Sequence, residues 1–113
     1  MTQNPNLVRG TLDLLILKSL TWEPKHGYGV SEWIETATDG TLLMEEGTLY
    51  PALHRLEAKG WIDSEWGLSE NNRRAKYYRR TPAGSRHLQR EADSWSQYTA
   101  AVARALALET PTP

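Results

Sequence analysis

The amino-acid sequence predicts a mainly α fold with one small β-hairpin, an α+β architecture. Two observations lead to this prediction. Before Gly60 and after Thr81, apolar residues recur at the spacings of three and four residues that mark amphipathic helices. Between these two points the spacing falls to two, which is typical of strands with one buried face. With 113 residues, the chain can build one domain with a hydrophobic core and at most one appended element.

The first helix is predicted to follow a polar segment. Residues 1–9 contain Pro5 and show no apolar periodicity, so we expect a flexible tail there. Thr11 can cap a helix that extends to about Thr21, with Asp13 near the positive end of the helix dipole. This helix is apolar on almost every side, so it must be covered both by its own domain and by a second surface.

Two further helices are predicted, over residues 26–37 and from Gly47 or Thr48 onward. The third helix must begin there because Pro51 lacks a backbone N–H and is tolerated only in a first turn. Gly60 is its predicted C-terminal cap. Its inward face has Leu49, Ala52, Leu53 and Leu56, and its outward face has Pro51, His54, Arg55 and Ala58. One face therefore packs in the core, and the other is free to contact a partner.

A β-hairpin with a basic tip is predicted next. Acidic residues alternate with other residues from Ile62 to Trp66, and a polar loop then leads to a second strand over residues 76–81. Tyr77 and Tyr78 are adjacent in that strand, so they point to opposite faces and at least one lies in the core. Three helices followed by such a hairpin predict a winged helix-turn-helix. In that arrangement the third helix enters the major groove of DNA and the wing reaches phosphates or the minor groove.

A long final helix is predicted from Thr81, its N-cap, and Pro82, its first residue, to about Leu108. Its apolar seam is Leu88, Ala92, Trp95, Thr99, Val102 and Leu106, spaced alternately by four and three residues. The rest of the chain is too small to bury the whole seam. We therefore expect a homodimer interface, in which the seam meets the same helix, or Leu12 and Leu15 of the first helix, of a second copy. The alternative is a helix folded back on its own domain.

The predicted organisation thus has four parts. These are a flexible N-terminal tail (residues 1–9), a winged helix-turn-helix domain (10–81), a C-terminal dimerisation helix (82–108) and a frayed end (109–113).

Composition argues against several classes of protein. The chain has no cysteine, and its three histidines are scattered through the sequence, so we expect no disulfide, metal or cofactor. The longest apolar run, residues 14–17, is too short to span a membrane, and the N-terminus does not resemble a signal peptide. A cytoplasmic protein is therefore expected. The sequence has no recognisable phosphate loop or grouping of Ser, His and carboxylate, so an enzyme is the least favoured class.

The charged residues are distributed unevenly. The net charge is -1, yet residues 71–90 contain seven basic and no acidic side chains, whereas residues 23–70 contain ten acidic ones. Because salt confines the influence of a charge to about 8 Å, a local basic patch can bind nucleic acid even in a weakly acidic protein. A run of charge is more often a solvated surface, so this pattern is only supporting evidence.

Four motifs occur in a characteristic order: GTLDLLIL from Gly10, HGYG from His26, GTLYPALHRLE from Gly47, and KYYR from Lys76 with TPAG shortly after it. Together they resemble the PadR family of bacterial transcriptional regulators, over about residues 8–105. The resemblance implies a winged-helix repressor that dimerises through one C-terminal helix and binds inverted-repeat operators. It also implies release by a small aromatic effector, as in some members. Where the family usually has Leu, this chain has Arg80, which can cover apolar surface only with its stem.

The predicted DNA-binding residues lie on the second and third helices and on the wing. They are Tyr28, Thr48, Tyr50, Pro51, His54, Arg55, Lys59, Arg73, Arg74 and Lys76. The hydroxyls of Thr48 and Tyr50 are expected to donate to phosphates beside the free N–H groups of the helix N-terminus. The three wing residues are expected at phosphates or in the minor groove. Tyr28 either touches the DNA backbone or packs on the domain.

His54 and Arg55 are the predicted readers of base edges, with Arg55 the first candidate. An Arg that bonds guanine through two hydrogen bonds discriminates against a wrong base by about 1–3 kcal/mol. The alternative for Arg55 is a surface ion pair with Glu57 or Glu32, worth less than about 1 kcal/mol.

Trp95 lies near the middle of the predicted seam. At a twofold axis it can stack on its symmetry mate as ordinary packing, or line a flat pocket for an aromatic effector. Packing is the simpler interpretation, and only the family resemblance favours the effector.

Two functions from different classes fit the sequence. The first is a homodimeric, sequence-specific regulator of transcription that binds double-stranded DNA. The second is a winged-helix module that binds protein and has no DNA affinity of its own, for which the ten acids of residues 23–70 are the best support.

Overall fold

The computed structural model of the chain describes residues 5–111, which form four helices and three strands. They are α1 (Pro5–Ser19), β1 (Lys25–His26), α2 (Gly27–Ala37), α3 (Glu46–Ala58), β2 (Ile62–Leu68), β3 (Arg74–Arg80) and α4 (Pro82–Leu106). The strands form one antiparallel sheet in the order β1-β3-β2. The predicted α+β class, with three helices, a hairpin and a final long helix, is confirmed.

The start of α1 differs from the prediction. The helix begins at Pro5 and not at Thr11, so residues 5–9 are helical and not part of a tail. Residues 1–4 of the predicted tail lie outside the described part of the chain. Proline suits the first turn of a helix, where its missing N–H has no intrahelical partner, so Pro5 starts the helix that we had expected it to precede.

The strand β1 was not predicted from the sequence. Lys25 lies opposite Tyr78 and His26 opposite Tyr77 of β3, and we had expected a helix to begin at His26. His26 is instead the N-cap of α2, and its Nδ1 accepts a hydrogen bond from the Gly29 N–H at 3.0 Å. A two-residue strand has no periodicity of its own, because pairing with a distant strand is all that defines it.

The helix α3 begins and ends close to the predicted positions. It starts one residue before Gly47, and Gly60 follows it with φ 77°, in the left-handed region that glycine accepts most easily. The predicted inward face is confirmed, because Leu49, Ala52, Leu53 and Leu56 are buried. The strands β2 and β3 then pair from Ile62 with Arg80 to Leu68 with Arg74.

The hydrophobic core lies between the first three helices and the base of the wing. Its members are Leu12, Ile16, Leu17, Leu20, Val30, Ile34, Leu49, Ala52, Leu53, Leu56, Ile62 and Tyr78. Tyr78 is therefore the core member of the tyrosine pair. Leu12 is only 2% exposed within its own chain, so the prediction that it faces a second copy is wrong. Leu15 is half-buried and packs against the same core.

Arg80 connects the end of the wing to the C-terminal end of α1. Its Nη1 donates to the Leu17 carbonyl at 3.1 Å and to Thr21 Oγ1 at 2.9 Å, and its Nε donates to Ser85 Oγ at 2.9 Å. A cation is favourable at this end of a helix, where carbonyls are free and the dipole is negative. These hydrogen bonds use the Nε and Nη1 donors of the guanidinium, so polar contacts with the end of α1 and the start of α4 hold Arg80 in place.

The long helix α4 begins as predicted. Thr81 Oγ1 accepts from the Gly84 N–H at 3.0 Å, and Pro82 occupies the first turn. The first half of α4 packs on α1 and on Trp61, whose ring stacks on His87 with centroids 3.5 Å apart. Toward its C-terminus α4 becomes exposed, with Leu106 81% exposed, and the molecule measures 60 × 31 × 22 Å. Its radius of gyration is 16.3 Å, against about 13 Å for a compact domain of about 100 residues.

Candidate nucleic-acid interface

The outward face of α3 is exposed along its full length. Gly47, Pro51, His54 and Ala58 follow one another on this face, and all four are exposed. Glycine, proline and alanine have little bulk, so the helix backbone can closely approach a partner along this line. Thr48 and Lys59 are also exposed, and helical spacing places them on the same side of α3 as Arg55. Lys59 Nζ lies 4.9 Å from the Trp61 ring centroid, which places its charge near the C-terminal end of α3.

Arg55 does not point outward with His54. Its Nη2 forms an ion pair with Asp13 Oδ1 on α1, and its side chain is 32% exposed. The predicted alternative of a surface pair with Glu57 or Glu32 therefore named the right kind of contact but the wrong partner. In this conformation the base-reading role predicted for Arg55 requires the pair with Asp13 to open.

The opposite flank of α3 is tied to the wing through Glu57. Ser64 Oγ of β2 donates to Glu57 Oε2 at 2.6 Å, and Lys76 Nζ of β3 lies 3.4 Å from Glu57 Oε1. Burial raises the pKa of the Tyr78 hydroxyl above its usual value, and the nearby carboxylate of Glu57 and hydroxyl of Tyr50 raise this pKa further. Tyr78 is therefore neutral at physiological pH. Lys76 therefore has an ion-pair partner within the protein, whereas the sequence predicted only a contact with phosphates or the minor groove.

Tyr50 and Tyr28 are both accessible near the N-terminus of α2. The Tyr50 ring packs on the backbone of Gly27, where an added Cβ would come within 2.6 Å of the Tyr50 hydroxyl. A larger residue at position 27 would therefore displace the Tyr50 ring, which is 45% exposed. Tyr28 is 71% exposed and its ring centroid lies 6.3 Å from that of His26. Of the two interpretations of Tyr28, the exposed position favours contact with a partner.

The tip of the wing presents two arginines. Arg73 and Arg74 are exposed and lie where the turn leads into β3, directly after Asn72, which has φ 60°. The Arg74 guanidinium lies 4.5 Å from the centroid of the Trp66 ring, which is itself 58% exposed. Trp66 was not among the predicted site residues. It lies on the same face of β2 as the buried Ile62 but is exposed, so the core does not extend this far along the wing.

A cleft of about 1050 Å³ lies between the wing, one side of α2 and Tyr50 of α3. Its walls include five of the predicted residues: Tyr28, Tyr50, Arg73, Arg74 and Lys76. The other five, which are Thr48, Pro51, His54, Arg55 and Lys59, are not in its walls, and all of them except Arg55 are exposed along α3 or at its end. The structure thus divides the predicted residues into two groups, one in the cleft and one on the helix.

None of the predicted seam residues of α4 is fully buried, and Leu88 and Ala92 at its beginning are half-buried. Leu88 packs against the core, whereas Trp95 is 45% and Leu106 81% exposed. Trp95 and Tyr98 line a groove of about 300 Å³ between α4 and α1, together with Gly10, Thr11, Leu14, Glu91 and Ser94. The alternative of a helix folded back on its own domain therefore describes the first half of α4.

Within residues 5–111, no three His, Asp or Glu side chains are grouped closely enough to hold a metal ion. In the same part of the chain, no helix is both long and apolar enough to cross a membrane.

Comparison with known proteins bears on this geometry. The family model described as the transcriptional regulator PadR-like family matches residues 16–90. This match spans α1 from Ile16, the whole of α2, α3 and the wing, and the anchored start of α4. The chain belongs to the PadR-like family. It is therefore a transcriptional regulator that acts by binding DNA.

The chain is also similar to individual transcriptional regulators. A transcriptional regulator from Clostridium thermocellum is 33% identical and superimposes with a TM-score of 0.79, covering 88% of this chain and 96% of its own. A PadR-like transcriptional regulator from Bacillus cereus is 26% identical, with a TM-score of 0.78, and covers 92% and 99%. The transcriptional regulator Rv3488 of Mycobacterium tuberculosis is 43% identical over 60 residues, which are 53% of this chain and 42% of that protein.

Proposed function

We propose that this PadR-like protein is a homodimeric repressor that binds an inverted-repeat operator with α3 in the major groove. The observation that carries the proposal is the row of exposed residues on α3, next to a cleft whose opposite wall is the basic wing. A DNA backbone in the cleft would contact the hydroxyls of Tyr28 and Tyr50 on one side and the wing arginines on the other.

On α3, we propose that His54 reads a base edge and that Thr48 donates to a phosphate. His54 is exposed on the outermost line of the helix, between Pro51 and Ala58, so it is the polar side chain that projects furthest into a groove. Its two ring nitrogens can donate and accept hydrogen bonds. Thr48 lies in the first turn, where the backbone N–H groups and the helix dipole favour an anion.

On the wing, Arg74 is the leading phosphate contact. It is exposed, and stacking on Trp66 holds its planar group while leaving the N–H donors at the ring's edge available. Changing Arg74 to Ala is expected to weaken binding to all duplexes alike and to lower the salt slope of log K by about 0.9, the value for one phosphate contact. Changing Arg79 to Ala is the matched control, because Arg79 is already paired with Asp63 at 3.1 Å and Glu65 at 3.9 Å.

The dimer follows from the free half of α4. Trp95, Tyr98, Val102 and Leu106 are exposed along this half, and a second copy of the same helix can cover them. A twofold axis through α4 would present two copies of α3 to half-sites about one turn of DNA apart.

The groove between α1 and α4 is the proposed effector site. Trp95 and Tyr98 offer aromatic faces there, with ring centroids 6.5 Å apart and an angle of 35° between the ring planes. A flat aromatic compound fits such a surface.

The test is selection from a random duplex library by the purified protein at about 150 mM salt, where nonspecific binding is weakened by counterions. Light scattering on the same sample gives its mass. Enrichment of an inverted repeat by a dimer is the expected result. A folded dimer that enriches no sequence would contradict the repressor, and a monomer that enriches a single half-site would contradict the dimer.

A further inference from the structure

We propose that Arg55 is a positioning residue, which acts through Asp13 to set the orientation of α3, and not a residue that reads bases. The inference rests on the proposed function, because it concerns how α3 is presented to DNA. It assigns to Arg55 a role different from the one that its helix position alone suggests.

The first step in the argument is the location of the ion pair. Arg55 and Asp13 are 42 residues apart in the sequence and join α3 to α1. Their side chains are 32% and 18% exposed, so the contact is partly shielded from solvent and salt. Asp13 is close to Leu12 and Ile16 on α1, and both of these residues lie in the core. Its carboxylate is therefore held at a fixed position.

The second step is that α3 is held on both flanks. On the side facing the wing, Glu57 is bonded to Ser64 and Lys76. On the side facing α1, Arg55 is bonded to Asp13. Leu53 and its apolar neighbours fix the depth of the helix in the core, but apolar contacts are not directional. The two polar contacts oppose rotation of α3 about its axis, which would move His54 away from its base.

The third step is the cost of breaking the ion pair, which base reading by Arg55 would require. Contact with guanine would require the guanidinium to leave Asp13, and a carboxylate that is only 18% exposed would then lose its ion-pair partner. A positioning role keeps the pair intact in both free and bound protein. The charge of Arg55 is then used within the protein, and His54 remains the outward polar side chain of this turn.

The test is a double-mutant cycle on Asp13→Ala and Arg55→Ala, with discrimination as the readout. Discrimination is the ratio of affinities for the duplex enriched by the parent protein and for a scrambled duplex of the same composition. Each single change is expected to lower this ratio at least about tenfold, and the double variant no further, because both remove one contact. Arg55→Lys should keep part of the ratio, since it preserves the charge. Arg79→Ala, the loss of an arginine from an exposed pair, should change it less than about twofold.

The base-reading alternative predicts a different pattern. Asp13→Ala would release Arg55 toward DNA and leave the ratio unchanged or higher, while Arg55→Ala would lower it. That pattern would overturn the inference. All variants are compared well below their melting temperatures, so that a loss of stability alone does not change the ratio.

A second readout separates failure of this inference from failure of the proposed function. Amide hydrogen exchange in α3 is measured on the free parent protein and on the same variants. Faster exchange in α3, equal in both single variants and not greater in the double variant, is expected even if the parent enriches no duplex. Unchanged exchange in α3 would overturn the positioning role whatever the DNA result.

Discussion

The two halves of α4 share one continuous helix but have opposite surroundings. In the first half, Gly84 is buried, His87 stacks on Trp61 and Leu88 packs against the core. In the second half, Val102 is 38% and Leu106 81% exposed. The first half belongs to the winged domain, whereas the second half carries apolar side chains that its own chain leaves uncovered. Helical periodicity is the same in both, so what separates them is only the presence of a surface to pack against.

The largest expected effect is at Gly84, in the anchored half. A Cβ at this position would lie 2.0 Å from the Trp61 carbonyl oxygen, and a backbone atom cannot move aside as a side chain can. Gly84→Ala is expected to lower the free energy of unfolding by about 3 kcal/mol. Urea denaturation at fixed protein concentration measures this. Gly47→Ala is the control, since its Cβ meets nothing within 4 Å, and equal losses in the two variants would refute the packing argument.

The next largest effect is expected on dimer association, from a change in the second half of α4. Val102→Asp places a charge in the proposed dimer seam, once in each copy, and should raise the dissociation constant about 100-fold, or about 2.7 kcal/mol. Sedimentation across a range of concentrations measures the constant. Gln97→Asp adds the same charge on the opposite side of the helix and should leave it nearly unchanged. A dimer equally stable in both variants would remove the second half of α4 from the interface.

A change at Trp61 tests the packing of the first half of α4 from the side of its partner, because the Trp61 ring stacks on His87. Trp61→Ala removes the ring that stacks on His87 and should lower the free energy of unfolding by about 2 kcal/mol, because the ring is half-buried. Trp66→Ala removes an equally large ring that is 58% exposed on the wing and should cost less than about 1 kcal/mol. Thermal unfolding compares them, and the reverse order would show that exposure does not distinguish the two tryptophans.

The smallest effect is expected at Gln89, also in the anchored half. Its amide lies 3.4 Å from both carboxylate oxygens of Asp93, and both residues are exposed. Gln89→Ala should change the free energy of unfolding by less than about 0.5 kcal/mol. Leu88→Ala, one residue earlier, should cost about 2 kcal/mol because that side chain packs against the core. Similar losses of unfolding free energy in the two variants would mean that more than one face of this half of α4 packs against the domain.

Local signals in the sequence were sufficient where the structure depends on nearby residues. Pro51 and Gly60 placed α3 to within one or two residues, and Thr81 with Pro82 placed the start of α4. Each acts through a missing N–H, a positive φ or a cap that reaches at most a few residues along the chain. The same kind of signal was misread at Pro5, which begins α1 and does not precede it.

The sequence by itself determined the α+β class, the inward face of α3 and the family motifs, because periodicity and short-range backbone chemistry are written in neighbouring residues. Only the tertiary structure decided that Leu12 is buried, that His26 joins a third strand, and where two arginines point. Arg55 pairs with Asp13, which is 42 residues away in the sequence. Arg80 donates to the Leu17 carbonyl, which is 63 residues away. A charged side chain takes the partner that the fold brings near it, so its direction is fixed only when distant segments have packed together.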